Sequence, residues 1–415
     1  MGQAGAMTDA MAADGGTAGG DARDRPATAG AAVRIVADPR GDAAFLAAWR
    51  DLAGRAATPV LTAEPAWVSA AYDRLPAQAR RARLCAVHDG GGRDGALLAL
   101  WPCEIARWRW GLPIRAMTGW SYEHAFLGAP LLDADRAEEA LCALVSGHAR
   151  ETGPVPILMR HLPAGDATLP ALEAACAKTG AMCHVLKRYN RAAFRPTGHA
   201  GLDDYLRATF PRKRRKEFNR LKARLGEQGA LALERFGGVD GHEDWLDRFA
   251  ALEAKGWKGR KGTALGADAE TRAFFGTLVD RLAGHGSVRG WALTLDGEPV
   301  AMLFAMTSGR RAWLGKIAYD EAYSRFSPGV LVTLEATADL CAEPGIELVD
   351  SCAIPGHPMI DRLWHDRLEM ADILVTPAWM GIRGGRALAA LERARATGMD
   401  RARRIVKSLA GDHPS

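Results

Sequence analysis

The residues best suited to bind a ligand lie in one short segment of the sequence, from Tyr323 to Val330. Within it, Ser327 is a favourable N-cap, and Pro328 at the first helical position loses no hydrogen bond. Gly329 allows a ligand to approach the backbone closely. Free N–H groups at the N-terminus of a helix attract phosphate, and Arg325 adds a full positive charge. The segment therefore predicts a phosphate site, with a plain helix start as the alternative.

The elements that must position this segment alternate between strands and helices. Ala312–Ala318 before it predicts a strand, and Pro328–Ala342 after it predicts a helix. An earlier pair of segments, Ser287–Leu295 and Glu298–Ser308, predicts a hairpin. The first half of the chain repeats the order hairpin, strand, loop, helix, strand, helix, strand. The sequence therefore predicts an α/β (α+β) fold made of two copies of one module.

Composition divides the chain into four parts. Residues 1–32 are mostly Ala, Gly, Asp and Thr without an apolar period, which predicts a disordered tail. The two modules are predicted at 33–195 and 196–380, and the basic segment 381–415 is predicted to form a C-terminal helix. The tail has no cationic start followed by an apolar run, so it does not resemble a secretory signal.

Length and composition argue against several classes of protein. With 415 residues, of which 48% are hydrophobic and 25% charged, the chain is typical of a soluble protein of about two domains. Its apolar runs are too short to span a membrane. The seven cysteines form no C-x-x-C pair, and the 11 histidines show no paired spacing typical of metal sites. We therefore expect a cytoplasmic protein without a bound metal.

The basic residues are concentrated in two segments. The net charge is +5, but residues 212–224 hold eight basic residues and one acid, and residues 383–407 hold eight and two. The remaining chain is acidic, whereas a nucleic-acid-binding protein usually spreads its basic residues over a domain face. The first segment predicts a solvated helix with Phe218, Leu221 and Leu225 inward, or a site for an anionic ligand. The second predicts a helix that packs on the protein or rests on an anionic membrane surface.

Four segments of the second half together resemble the GNAT acyltransferase superfamily, in particular its tandem branch of CelD-like and FemAB-like proteins. They are the basic helix Lys213–Leu221, the segment Glu253–Trp257, the hairpin Leu295–Ala301 and the segment Tyr319–Gly329. The first half resembles this branch more weakly, through Trp67 and the segment Gly128–Leu131. The resemblance implies two tandem GNAT-like domains, each with a mixed central sheet flanked by helices. The first of them, 33–195, is expected to be degenerate.

The resemblance also implies the reaction and its co-substrate. GNAT enzymes move an acyl group from acetyl-CoA or another acyl-CoA to an amine or a hydroxyl. The acceptor here would be a small molecule or a saccharide, as in cell-envelope or polysaccharide biosynthesis. The family's pyrophosphate loop maps onto Arg325, Phe326, Ser327, Gly329 and Val330. The thioester carbonyl would be polarised by backbone N–H groups of a splayed strand, at Ile317, Ala318 and Tyr319.

Acyl transfer needs a base for the acceptor and an acid for the leaving thiolate. Glu253 is the first candidate base, because it lies at the edge of an apolar helix stripe; an exposed ion pair with Lys255 or Lys258 is the alternative. Asp350 ends a predicted strand, where ligands of α/β proteins gather, or else it caps a turn. His357 beside a short helix is a further candidate, and Tyr319 is a candidate donor to the thiolate. Both of these residue types are also common as structural side chains.

Two other functions remain open on the sequence alone. FemAB-like relatives transfer an aminoacyl group from tRNA, and the cations of 212–224 would then contact phosphates. Nucleic acid is otherwise not expected as a partner. The chain departs from the family's Q/R-x-x-G-x-G/A pattern and has Met359-Ile360 where the family has a Tyr-Lys pair. These departures suit a non-catalytic module that binds an anionic partner.

Overall fold

The computed structural model describes residues 30–91, 95–107, 109, 113–237, 241–262, 264–284 and 286–409. The predicted disordered tail, residues 1–32, lies outside the described residues except for 30–32, where the first strand begins at Ala32. The strands are β1 Ala32–Val36, β2 Arg83–His88, β3 Leu97–Ala106, β4 Ala116–Gly119, β5 Leu131–Leu132, β6 Ile157–Pro163, β7 Met182–Phe194, β8 Leu231–Phe236, β9 Val288–Leu295, β10 Glu298–Ser308, β11 Arg311–Tyr319, β12 Leu348–Asp350 and β13 Asp366–Thr376. The helices are α1 Ala43–Gly54, α2 Pro65–Arg74, α3 Pro76–Ala79, α4 Ala137–Thr152, α5 Thr168–Thr179, α6 Leu202–Thr209, α7 Arg212–Gly226, α8 His242–Lys255, α9 Trp257–Arg260, α10 Ala269–Ala283, α11 Pro328–Ala342 and α12 Gly381–Leu409.

The strands form one mixed sheet in the part of the chain that the structure describes. Its order is β1-β2-β3-β4-β6-β13-β7-β12-β11-β10-β9-β8, and β5 pairs with β3. Each half supplies four antiparallel strands and a fifth strand that is parallel to the fourth. In the first half, these are β1 to β4 with β6. In the second half, they are β8 to β11 with β12. The α/β class with a mixed sheet and flanking helices is therefore confirmed.

The two halves exchange their last strands. From the first half, β7 pairs antiparallel with β12, and from the second half, β13 pairs antiparallel with β6. The exchanged strands also pair with each other along Asp366–Thr376. The prediction of one sheet per module is corrected in this respect, because the exchange joins both sheets into one. A strand at 182–194 was not expected, since its middle residues are polar.

Two large apolar clusters fill the spaces between the sheet and the helices. The first draws residues from both halves, and the rings of Trp67 and Phe274 meet in it at 5.5 Å. The second contains Phe218, Leu221 and Leu225 of α7, together with Trp291 and other residues of the second half. These three residues are the buried ones of α7, as the sequence predicts, so its cations lie on the exposed side.

The C-terminal helix α12 packs on the sheet in its first part. Leu388 and Ala389 are buried against Leu158 and Leu374. The carboxylate of Glu392, which is 1% exposed, lies 3.2 Å from the guanidinium of Arg109 and also contacts Arg160. No described helix has the length and hydrophobicity that a membrane crossing requires.

Candidate active site

A cleft opens in the second half where β11 separates from β12. The two parallel strands pair only at Arg311–Trp313 with Leu348–Asp350, near the start of β11. Beyond this point, β11 continues to Tyr319 with β10 as its one strand partner among the described residues. The register between β10 and β11 shifts between Leu303 and Ala305, which is the mark of a β-bulge opposite Gly315 and Lys316.

The open edge of β11 presents backbone groups to this cleft. The N–H of Asp320 donates to the carbonyl oxygen of Val300 on β10 at 2.9 Å. Because bonded and non-bonded pairs alternate along an antiparallel ladder, the N–H groups of Ile317 and Tyr319 point away from β10. Their carbonyl groups point the same way, and the carbonyl of Ile317 accepts a hydrogen bond from Lys258 at 2.7 Å. Two N–H groups are thereby left available to an extended ligand beside β11.

A cavity of about 580 Å³ occupies the cleft. Five segments line it: the start of α7 (Arg214), the end of α8 with α9 (Glu253, Gly256, Trp257, Lys258), β11 (Ile317, Ala318, Tyr319), the start of α11 (Ser324, Ser327, Pro328, Gly329, Val330) and the loop after β12 (His357, Pro358, Met359, Arg362, Leu363). The predicted residues Ile317, Ala318, Tyr319, Ser327, Gly329 and Val330 are therefore brought together.

The start of α11 exposes a backbone donor in this cavity. The carbonyl oxygen of Ser327 accepts from the N–H groups of Val330 at 2.9 Å and Leu331 at 3.2 Å. Pro328 has no N–H group, and the N–H of Gly329 has no acceptor among the described residues. Ser327 adopts φ 53° at the N-cap, without a capping bond from its side chain. A Cβ on Gly329 would be in ordinary van der Waals contact with the ring of Tyr319, at 3.4 Å.

Arg325 and Phe326 do not line the cavity, which corrects two predicted contacts. A 3₁₀ turn spans Glu321–Phe326, and its successive side chains point in directions about 120° apart. Ser324 consequently faces the cavity, whereas Phe326 is buried in the core. The guanidinium of Arg325 lies 4.6 Å above the ring of Phe326 and donates to Gln228 at 3.3 Å.

The cations of the cavity come instead from residues to which the sequence assigned no individual role. Arg214 from the first turn of α7 and Arg362 from the loop after β12 both line it. The basic segment 212–224 indicated a possible site for an anionic ligand, but it did not show that Arg214 is the cation that faces the cavity. Lys258 also lines the cavity, and the exposed ring of Trp257 stands at its edge.

Glu253 is buried at the back of the cavity and held in one orientation. Its side chain is 1% exposed, and its Oε1 accepts from Lys258 Nζ at 2.7 Å. Lys316 Nζ lies 3.8 Å from the same oxygen. The Oε2 atom accepts from the backbone N–H of Leu265 at 2.6 Å. The predicted carboxylate thus lies in the cavity. The alternative, an exposed ion pair with a lysine, is wrong because Glu253 is buried, although Glu253 does pair with Lys258.

Lys258 connects this carboxylate to the central strand. Its ammonium group donates both to Glu253 and to the carbonyl of Ile317, at 2.7 Å each. Because the peptide between Ile317 and Ala318 is held at its carbonyl, Lys258 fixes the direction of the strand edge that faces the cavity. Burial lowers the pKa of the neighbouring Lys316, and the charge of Glu253 opposes that effect.

His357 and Tyr319 both line the cavity. The Nδ1 of His357 accepts weakly from the N–H groups of Met359 at 3.3 Å and Ile360 at 3.4 Å. Burial lowers the pKa of His357, which favours a neutral ring with its proton on Nε2. This tautomer can donate a hydrogen bond from Nε2, but the neutral ring has no readily released proton, so the geometry suits orientation of a bound group. The hydroxyl of Tyr319 forms no hydrogen bond with the described residues.

Asp350 lies outside the cavity, which corrects its place among the candidate catalytic residues. It is 1% exposed and forms an ion pair with Arg191 of β7. It also accepts from the N–H of Cys352 at 2.9 Å. Burial raises the pKa of Asp350, and the guanidinium of Arg191 opposes that rise. The strand exchange explains the difference, because β7 brings a buried cation beside the end of β12.

The corresponding gap of the first half is filled by protein. Here β4 and β6 pair at Met117 and Thr118, and the chain that follows β4 turns back between them. A Cβ on Gly128 would stand 3.4 Å or less from backbone atoms of Arg160, so only glycine fits at this crossing. The rings of Trp120 and Tyr122 pack at 4.7 Å nearby, and Trp67 donates to the hydroxyl of Tyr122 at 2.7 Å.

The described residues include no group of three or more His, Cys, Asp or Glu side chains placed to hold a metal ion. The second-half cleft offers two strand amides, one helix amide, three cations, a buried carboxylate and a neutral imidazole. Such a set can hold a diphosphate, polarise a carbonyl and move a proton.

Comparison with known proteins gives one family match, over part of the second half. Residues 212–356 match the family model described as an acetyltransferase (GNAT) domain. No curated protein matches the chain. Among solved structures, FemX is 12% identical with a TM-score of 0.53, and the match covers 80% of this chain and 95% of FemX.

Two further solved structures are similar at lower scores. A tandem GNAT protein from the clavulanic acid biosynthesis pathway is 16% identical with a TM-score of 0.41, covering 83% of this chain and 98% of that one. L-PGS from Bacillus licheniformis is 14% identical with a TM-score of 0.44, covering 80% of this chain and 96% of that one. The chain thus shares the fold of FemX over four-fifths of its length. Its residues 212–356 match the acetyltransferase (GNAT) domain model, in agreement with the resemblance to the GNAT superfamily.

Proposed function

We propose that the protein transfers an acyl group from acetyl-CoA or another acyl-CoA to an amine or hydroxyl acceptor in the cleft between β11 and β12. One observation carries the proposal: the unpaired N–H of Gly329 and the outward N–H groups of Ile317 and Tyr319 line the same cavity. A helix N-terminus suits a diphosphate, and a free strand edge suits the amide-bearing arm and thioester of CoA. The matched GNAT domain supports this assignment.

In this arrangement the donor is bound along β11. Its diphosphate lies at Ser327 to Val330, with Arg214 and Arg362 supplying positive charge. Its thioester carbonyl accepts from a strand amide at Ile317 or Tyr319, which stabilises the negative charge that develops on oxygen. The acceptor nitrogen or oxygen then attacks the carbonyl carbon, and the carbon–sulfur bond breaks as the new bond forms. No covalent intermediate with the protein is needed.

Two residues are proposed to move the protons. Glu253 takes the proton that the acceptor loses, because its carboxylate lines the cavity and its two oxygens are oriented by Lys258 and Leu265. The leaving thiolate receives a proton from the hydroxyl of Tyr319, which lines the cavity, and the Nε2–H of His357 can donate a hydrogen bond within the same cavity. The exposed ring of Trp257 offers an apolar face on which a saccharide acceptor can stack.

Charge reversal distinguishes this placement from the one that the sequence suggested. Arg214→Glu removes a cation that lines the cavity, whereas Arg325→Glu removes one that points to Gln228. We expect Arg214→Glu to weaken CoA binding about tenfold or more in isothermal titration, because a charge-assisted contact becomes a repulsion. Arg325→Glu serves as the matched control and should bind like the wild type. Equal loss in both variants, or no heat with wild type at millimolar CoA, would reject the proposal.

A second donor class is favoured by the basic turn at the start of α7. Arg212, Lys213, Arg214 and Lys216 are exposed and form no ion pair with the described residues, and Arg214 reaches the cavity. An aminoacyl-tRNA donor would place phosphates on this turn. Its binding would fall steeply with salt, and the slope would decrease by about one when one such cation is removed. Transfer that survives nuclease treatment and requires only acyl-CoA would exclude this donor.

A further inference from the structure

A second cavity, of about 320 Å³, lies in the first half of the molecule, beside the start of β4. Guanidinium groups dominate its lining, from Arg80, Arg81, Arg83, Arg107 and Arg115, and its one acidic residue is Glu104. The end of β3, the start of β2 and the chain just before β4 converge here, since Arg83 pairs with Cys103 and Ala106 pairs with Ala116.

Most of this positive charge is uncompensated. Glu104 pairs with Arg81 at 2.7 Å, and Arg83 donates to the backbone carbonyls of Arg80 and Ala82. Arg80, Arg107 and Arg115 are exposed and have no carboxylate within 4.0 Å among the residues that the structure describes. Such guanidinium groups repel one another unless an anion lies between them, so their convergence on one concavity needs an explanation.

Arginines elsewhere on this surface are commonly paired. Arg136 binds both Asp89 and Glu139, Arg235 binds Asp339, and Arg289 binds Glu343. The protein outside its two basic segments is acidic by composition. The unpaired set around this cavity is therefore not a simple consequence of arginine content.

The cavity is distinct from the proposed acyl-transfer cleft. Five strand steps separate β4 from β11 in the sheet, which corresponds to about 24 Å at the usual strand spacing of about 4.8 Å. It also differs from the first half's counterpart of that cleft, which lies at the other end of β4 and is filled by the chain around Gly128. A ligand in this cavity would therefore bind at a site separate from the donor cleft.

We propose that this cavity binds a compact polyanion that carries two or more phosphate groups. Guanidinium groups recognise phosphate oxygens through paired, charge-assisted hydrogen bonds, and several of them converge here. The volume is that of a small-molecule pocket. Among the described residues, its apolar lining consists of Ile105 and Ala106. A concavity of this size favours a free small molecule over an extended nucleic-acid strand.

Isothermal titration of the full chain with inorganic pyrophosphate, at constant ionic strength and with saturating CoA to fill the diphosphate subsite of the donor cleft, tests the proposal. We expect one site, and binding about tenfold or more weaker in the triple variant Arg80→Ala/Arg107→Ala/Arg115→Ala. A matched triple variant, Arg50→Ala/Arg150→Ala/Arg207→Ala, removes the same charge from exposed positions elsewhere. It should bind pyrophosphate like the wild type. The three single variants and thermal melts establish that any loss is local and not a failure to fold.

Competition separates this site from the donor cleft. Without CoA, a second pyrophosphate can occupy the diphosphate subsite of the cleft, and saturating CoA should remove only that second site. Loss of all pyrophosphate binding in saturating CoA, full binding by the Arg80/Arg107/Arg115 variant under that condition, or equal loss in the matched triple would each overturn the proposal. So would absence of heat with wild type at millimolar pyrophosphate. Tripolyphosphate and citrate as further titrants separate a preference for phosphate from a preference for charge, and tighter binding of citrate would contradict the phosphate assignment.

Discussion

Glu253 shows how one side chain depends on its partners in this cleft. Its carboxylate is withdrawn from water and lies between two lysines and a backbone donor. A carboxylate in such a setting is held in place for proton transfer, and its removal leaves two cations without their counter-charge. The effects of substituting it on catalysis and on stability must therefore be measured separately.

Replacing Glu253 with Gln should abolish most turnover while leaving donor binding intact. The amide keeps an acceptor for the N–H of Leu265, but it cannot take a proton from the acceptor. We expect the rate of thiol release to fall about 10²- to 10⁴-fold. The CoA affinity, measured by titration, and the melting temperature serve as controls. Turnover within a few-fold of wild type would remove Glu253 from the role of base.

His357 should make the protein less stable in acid. Burial lowers its pKa below the ordinary value of 6.5, so the folded state binds a proton less readily than the unfolded state. Stability due to this residue is present at neutral pH and is lost as the pH falls through the unfolded value. His357→Asn should therefore lose less stability than wild type between about pH 7 and about pH 5. Denaturant unfolding at several pH values measures this, and parallel pH curves for both proteins would contradict it.

At the level of residues, prediction from the sequence succeeded where proline and glycine determine the backbone conformation. The Ser-Pro-Gly sequence placed the start of α11 correctly at Pro328. It failed for Arg325 and Phe326, because the preceding residues form a 3₁₀ turn that rotates these side chains away from the cavity. The catalytic roles of Glu253, Tyr319 and His357 stay predictions. No local pattern indicated Arg362, which reaches the cavity through the loop after β12.

At the level of elements, the exchange of β7 and β13 determines much of the architecture. β7 spans 13 residues and carries Lys187, Arg188 and Arg191 in its middle. Alternating apolar residues are the usual sign of a strand, so this polar segment gave none. The segment forms a strand because β12 and β13 pair with its two edges, and the sequence of the segment does not show this pairing.

The ion pair between Arg191 and Asp350 tests this exchange, because it joins β7 to β12. Their side chains are 5% and 1% exposed. Arg191→Met leaves Asp350 buried without its partner and should cost about 3–5 kcal/mol in the free energy of unfolding. The double variant Arg191→Met/Asp350→Leu removes both charges and should recover most of that loss. Urea unfolding measures both, and a single variant within about 1 kcal/mol of wild type would contradict the account.

At the level of the whole molecule, the two halves are in contact beyond the shared sheet. Glu64 of the first half accepts from the hydroxyl of Ser308 in the second half. Burial raises the pKa of Glu64 from 4.5 to about 7. The sequence predicted two similar modules correctly in kind, but the domain boundaries remain a prediction. It did not indicate contacts such as this one, because they depend on how the modules meet.

The contact between Glu64 and Ser308 should weaken at alkaline pH. The folded-state pKa of Glu64 is raised, so the folded state binds a proton that the unfolded state releases between about pH 4.5 and 7. Stability due to this residue is therefore lost as the pH rises through that range. Glu64→Gln should be about 2–3 kcal/mol more stable than wild type at pH 8 and nearly equal to it at pH 4. Glu227→Gln, an exposed change of the same kind, should show no such difference.

The most direct test of the central claim is a crystal structure of the protein with bound CoA. The account predicts the diphosphate within hydrogen-bond distance of the Gly329 N–H, beside Arg214, and the sulfur next to β11 at Ile317 to Tyr319. It predicts no contact between the ligand and Arg325. CoA bound in the first half, or bound in the second half away from the start of α11, would contradict it.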